Sequence, residues 1–118
     1  RRSNKERIQK ALESIDGVRV VNERPDAETS WFGVPTVCED NNLKRSLVAY
    51  LEKNKIQTRN YFAGNILLHP GYRDLGKASD YPNANQVLDK VFFLGCSPTI
   101  NEKMLQYIEK VIGNYVSN

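Results

Sequence analysis

The chain has 118 residues, 40% of them hydrophobic and 26% charged, enough for one modest core and not for two. No apolar run approaches the ~18–20 residues of a membrane span. The net charge of +3 comes with Lys and Arg interleaved among Asp and Glu, except where Arg1, Arg2, Lys5, Arg7 and Lys10 crowd the N-terminus, and this favours solvated helix faces over a nucleic-acid patch.

Ser3 and Glu6 stand at capping-box spacing, and Ile8, Ala11, Leu12 and Ile15 then share one helical face up to a stop at Gly17. The polar, Pro-containing segment 22–30 reads as a connection. WFGVPTVCE, residues 31–39, is aromatic and β-branched and predicts a strand, with Pro35 placing it at an edge or a bulge. Asn41 or Asn42 then caps a helix whose Leu43, Leu47, Tyr50 and Leu51 recur every three to four residues and which ends in KNK. Residues 56–61 predict a second short strand. A short helix follows near 83–90, after Pro82. VFFLG, residues 91–95, is a continuous apolar run expected to be the most buried strand. Thr99 and Glu102 suggest another capping box for a last helix that buries Met104, Leu105, Ile108, Val111 and Ile112. The order predicts a two-layer α/β sandwich, with a small, mainly antiparallel three-stranded sheet packed against helices in a single domain spanning 1–118.

The segment IQTRNYFAGNILLHPGY, residues 56–72, concentrates the groups able to handle a ligand. Arg59 presents forked donors suited to carboxylate or phosphate, or else forms a structural ion pair. Tyr61 and Phe62 are adjacent, so strand alternation sends one to the core and leaves the other for stacking. Gly64–Asn65 reads as a turn or as part of a pocket. His69, the only histidine, is an acid–base group or a hydrogen-bonded surface residue, with no nucleophile near it in sequence. Cys38 and Cys96 are distant and read as reduced, buried thiols. Two cysteines and one histidine without close spacing make no zinc or iron–sulfur motif, and no phosphate loop or catalytic triad signature occurs. From the residues alone this is a binding surface without a catalytic engine.

SWFGVPTV, LKRSLVAYLEKNKIQTRN, YFAGNILLHPGY and YPNANQVLDKVFFLGCSPTINEKMLQYIEKVI together resemble the C-terminal small domain of the DegT family, sugar-modifying enzymes of the vitamin-B6-dependent fold type I. The pattern is most similar to the branch that dehydrates CDP-4-keto-6-deoxy-D-glucose at carbon 3. It is carried over residues 28–112 by Trp31, Phe32 and Gly33, by Thr58, Arg59, Phe62, Gly64 and Asn65, and by Pro82 and Asn83. His69 stands where the branch has Gln, and Tyr81 where it has Leu.

The resemblance implies that Arg59, Tyr61, Phe62, Gly64, Asn65 and His69 line a CDP-sugar pocket on a domain that closes over the active site. The full-length enzyme is then expected to use pyridoxamine or pyridoxal phosphate and a 2Fe-2S cluster. It would work with an NADH-dependent reductase in lipopolysaccharide O-antigen biosynthesis, as a cytoplasmic homodimer with no nucleic-acid or membrane partner. The catalytic residues are expected upstream of Arg1, in a large domain, with no cofactor bound by this segment alone. The same domain of a sugar-nucleotide aminotransferase, which tends to carry His in place of the Tyr61–Phe62 pair, is one alternative. A free-standing α/β module stacking RNA on Tyr61 or Phe62 is another.

Overall fold

The structure is a computed structural model that describes residues 1–117. Its elements in chain order are helix α1 (Arg2–Leu12), strand β1 (Val18–Val20), strand β2 (Gly33–Cys38), helix α2 (Asn41–Lys53), strand β3 (Thr58–Asn60), helix α3 (Pro82–Lys90), strand β4 (Val91–Gly95) and helix α4 (Glu102–Ser117). Between β3 and α3 the chain makes three 3₁₀ turns, Ile66–Leu68, Pro70–Leu75 and Ala78–Asp80. No helix among the described residues is long and apolar enough to cross a membrane.

The two-layer α/β architecture holds, but the antiparallel sheet has four strands rather than three, in the order β1-β2-β4-β3. The added strand is only three residues long, too short for alternation to announce it. It lays Val18 and Val20 on the core and Arg19 outward.

Pro35 is accordingly not at an edge, because β2 lies between β1 and β4. The register Val20↔Thr36 makes Val21 and Pro35 the next pair, and Val21 donates its N–H to the Pro35 carbonyl at 3.0 Å. Alternation of antiparallel bonds then points the Pro35 nitrogen at the Val21 carbonyl, which it cannot serve. The Lys5 ammonium takes that place: it donates to the Val21 carbonyl at 3.0 Å and to Gln9 Oε1 at 2.7 Å, and lies 4.4 Å from the Trp31 ring centre. Lys5 is only 4% exposed, and burial pulls its pKa below the ordinary lysine value.

One face of the sheet carries Val34, Phe92 and Leu94, which pack with Ile8 and Leu12 of α1, Leu47 and Leu51 of α2, and Leu105, Ile108 and Ile112 of α4. Cys38 and Cys96 are free and buried, and desolvation raises both thiols, Cys38 to about 11. Met104, expected in the core, is 52% exposed.

The helix starts also differ from expectation. No side chain caps α1, whose N-cap is Arg1. Asp40 caps α2 by accepting from the Leu43 N–H at 2.8 Å, in place of Asn41 or Asn42. Asn101, not Thr99, accepts from the Met104 N–H at the start of α4. At α2 and α4 the short carboxylate or amide that reaches the third N–H is selected by the local chain path. The N-terminal arginines are largely engaged within the fold: Arg1 and Arg2 donate to the carbonyls of Trp31 and Thr29, and Arg7 pairs with Glu102 and Glu109.

Candidate functional site

β3 brings Arg59 opposite Phe93 of β4. Since Phe92 and Leu94 point to the helices, Arg59, Phe93 and Pro35 project from the other face of the sheet. Gly33 makes this possible for Phe93, because a Cβ at 33 would collide with the Phe93 ring. Around Phe93 gather Phe32 at 5.7 Å, Phe62 at 6.0 Å and Tyr61 at 6.1 Å between ring centres. These are ordinary aromatic-pair separations.

The strand expected over 56–61 ends at Asn60, so strand alternation does not govern Tyr61 and Phe62. Neither enters the helix-side core; both rings join the cluster on the outer face. Phe62 adopts φ 55° and remains 69% exposed, and Phe32 is 70% exposed. A bulky residue with positive φ is a costly conformation, and here it holds a large apolar ring in the open. Phe62 and Lys55, at φ 65°, are the two such residues among those described, and they bracket β3.

Arg59 is exposed and forms no ion pair among the described residues, so the structural ion pair considered for it is not found. It lines a groove of about 620 Å³ that also includes Phe32 and Phe93. A smaller recess of about 100 Å³ lies under Trp31, Phe32, Tyr61 and Phe62. The edge of β3 is closed at its start by Glu52, which accepts from the Thr58 N–H at 2.6 Å and the Thr58 hydroxyl at 2.8 Å. Those bonds lower the Glu52 pKa, the backbone one most.

Gly64 and Asn65 sit differently. Asn65 is 3% exposed, and its amide donates to the Ala78 carbonyl and to Asn85 while its oxygen accepts from the Leu67 N–H. Gly64 has φ +66° and would drive a Cβ to 2.7 Å from Leu88 Cβ. This pair anchors the 61–81 segment to α3 instead of offering groups outward. His69 is exposed, its Nε2 3.2 Å from the Ala63 carbonyl, one residue from Phe62. The structure therefore sets Arg59, Tyr61 and Phe62 around Phe93, holds His69 at the Ala63 carbonyl, and turns Asn65 inward.

Phe32 and Phe93 complete the cluster and were not among the expected site residues. Phe93 was legible only from the 92/93 alternation inside an apolar run, which continuous hydrophobicity masks.

Among the described residues, neither the buried lysines nor the two cysteines suit a vitamin-B6 aldehyde or an iron–sulfur cluster. The buried lysines, Lys5 and Lys44, are tied to the carbonyls of Val21 and Leu88. Cys38 and Cys96 follow opposite ends of the β2–β4 ladder, in which Val37 pairs with Val91 and Gly33 with Gly95. Their raised pKa values disfavour the thiolate that ligates metal.

A model of the DegT/DnrJ/EryC1/StrS aminotransferase family matches residues 1–112. The chain is 32% identical over 99% of its length to a dTDP-4-dehydro-2,6-dideoxy-D-glucose 3-dehydratase of Saccharopolyspora spinosa, of which it covers 26%. It is 33% identical over 70% of its length to the lipopolysaccharide biosynthesis protein RfbH of Salmonella typhimurium, covering 20% of that protein. Among solved structures it superposes on 29% of an E. coli GDP-4-keto-6-deoxy-D-mannose-3-dehydratase with bound hydrated PLP, with TM-score 0.74 and 21% identity over 94% of this chain. The chain thus spans about a quarter of the length of the relatives it matches.

Proposed function

Because the chain belongs to the DegT/DnrJ/EryC1/StrS aminotransferase family, we propose that it is the substrate-facing part of a sugar-nucleotide 3-dehydratase. The substrate we assign is CDP-4-keto-6-deoxy-D-glucose, on the route to a deoxysugar of lipopolysaccharide. The observation that carries this reading is the exposed Arg59 opposite Phe93, around whose ring Phe32 and Phe62 gather, with Phe62 held there at positive φ. The 3-dehydratase name of the Saccharopolyspora spinosa relative supports the reaction type.

Pyridoxamine or pyridoxal phosphate, bound by the full-length protein, would supply the electron sink that lets the 3-hydroxyl leave. This chain's share is orientation and dryness. The Arg59 guanidinium fixes an anionic or polar group of the substrate through charge-assisted bonds. The Phe32, Phe62 and Phe93 rings cover the reacting sugar and keep water and stray proton donors from it. A proton carrier at Phe62 would favour completing an amine transfer, and its phenyl ring offers none.

One observation favours the aminotransferase alternative. The His69 imidazole is held at the Ala63 carbonyl, so the backbone of the residue next to Phe62 carries the side chain of the chain's one histidine.

The test is product analysis with the full-length protein, pyridoxamine phosphate and either the CDP- or the dTDP-linked 4-keto-6-deoxy sugar. The expected product is a 3-deoxy sugar from the CDP substrate. Arg59→Ala is expected to lower kcat/KM about ten- to a hundredfold with an unchanged melting temperature. An amino sugar as the main product selects the aminotransferase reading, and turnover of the dTDP sugar alone overturns the CDP assignment.

A further inference from the structure

The groove of about 620 Å³ beside Arg59 runs between the start of β3, the end of β4 and the first turns of α4. Its floor is Ile56, Leu94 and Ile108, all buried against the core, and its outer wall is Met104 and Tyr107, both about half exposed. Lys55, Arg59 and Lys103 line it, and no carboxylate does. The volume is that of a site for a drug-sized ligand. An apolar trough flanked by three cations fits an organic anion with a flat apolar body better than a neutral sugar.

Lys55 makes the case stronger. At the end of α2 the Ile56 N–H bonds to the Leu51 carbonyl and the Lys55 N–H to the Glu52 carbonyl, the pair of bonds that closes a helix with a left-handed residue. Glycine is the usual occupant of that position. Here it is a lysine at φ 65°, strained backbone whose side chain lines the groove. Tyr107 braces the same turn by donating its hydroxyl to the Asn54 carbonyl at 2.7 Å. The helix end would be better served by Gly, so a charge is kept at a conformational cost.

We propose that this groove holds the nucleoside diphosphate arm of the sugar nucleotide, with the base against Met104 and Tyr107 and the diphosphate among Lys55, Arg59 and Lys103. The groove and the recess at the aromatic cluster share Phe32 and Phe93, so a sugar nucleotide can run continuously from one to the other. This assignment rests on the sugar-nucleotide reading of the site and adds to it which face takes which half of the ligand. Three cations match the two to three negative charges of a diphosphate, and their attraction weakens with salt.

The experiment is calorimetric titration of the full-length protein with CDP, dTDP, cytidine and inorganic diphosphate, together with steady-state kinetics on the CDP-sugar. CDP is expected to bind, with cytidine and inorganic diphosphate each at least tenfold weaker, because each lacks one half of the recognised ligand. Lys103→Ala and Lys55→Gly are each expected to weaken CDP about tenfold and to raise KM similarly with kcat little changed. Lys55→Gly should do so while raising the melting temperature, which separates lost binding from lost folding. If the CDP-sugar is turned over but both variants leave CDP affinity and KM unchanged, the groove assignment is overturned and the sugar-nucleotide reading stands. If CDP binds and the variants weaken it while no sugar nucleotide is turned over, the groove is a nucleotide site and the dehydratase reading is overturned. If inorganic diphosphate binds as well as CDP, the apolar trough is not used and the proposal fails.

Discussion

Replacing Lys5 by Met keeps most of the alkyl packing and removes the ammonium that substitutes for the missing Pro35 N–H. The Val21 carbonyl, 3.0 Å from Lys5 Nζ, then has no donor, because Pro35 cannot supply one. A stranded, partly buried carbonyl costs about 1–3 kcal/mol, and losing the cation from the Trp31 ring, 4.4 Å away, costs about 0.5–1 kcal/mol more. Against this, removing a desolvated charge returns part of the cost, since burial is the largest influence lowering the Lys5 pKa. The net expectation is a loss of about 2 kcal/mol, half of it from the carbonyl.

That half can be isolated. In a Pro35→Ala background residue 35 regains an N–H aimed at the Val21 carbonyl, so Lys5→Met should there cost about 1 kcal/mol less than in the parent chain. Urea denaturation of the four proteins, read as a double-mutant cycle, measures the coupling. Additivity within about 0.3 kcal/mol, or a Lys5→Met loss below about 0.5 kcal/mol, would refute the account of how a proline sits in a central strand.

Gly64→Ala combines a strained φ of +66° with a Cβ 2.7 Å from Leu88 Cβ and 3.1 Å from its backbone Cα. It should destabilise by about 2–3 kcal/mol, seen as a lower thermal midpoint, and loosen the 61–81 segment, seen as faster proteolysis there. For Glu52 the folded pKa is depressed below the ordinary 4.5 by its bonds to Thr58. Its stabilisation is therefore present above the unfolded value and lost as pH falls through the lower folded one. The stability difference between the parent and Glu52→Gln, measured by denaturation from pH 7 to pH 3, should accordingly be largest near neutrality and shrink below about pH 4.

Much of the fold was legible because its elements are amphipathic with a clear period. Leu47 and Leu51, or Leu105, Ile108 and Ile112, declare a buried helical face regardless of what covers it, and the DegT-type pattern around Thr58–Asn65 marked the site segment. Local sequence also supplied the chemistry on offer: one guanidinium, adjacent aromatics and a lone imidazole.

Placement was decided only by tertiary contacts. A three-residue β1 becomes a strand by pairing with β2, and Pro35 is tolerated inside the sheet because Lys5, thirty residues away, completes the ladder. The direction of Phe62 depends on the strand ending at Asn60 and on a left-handed residue that no alternation rule anticipates. Asn65 turns inward because α3 and the Ala78 carbonyl provide partners for its amide. Lys103 and Tyr107 become site residues only because α4 lies alongside the end of β4. Periodicity reports which side of an element is apolar, whereas the meeting of distant side chains depends on register and packing between elements, and that is set by the assembled core.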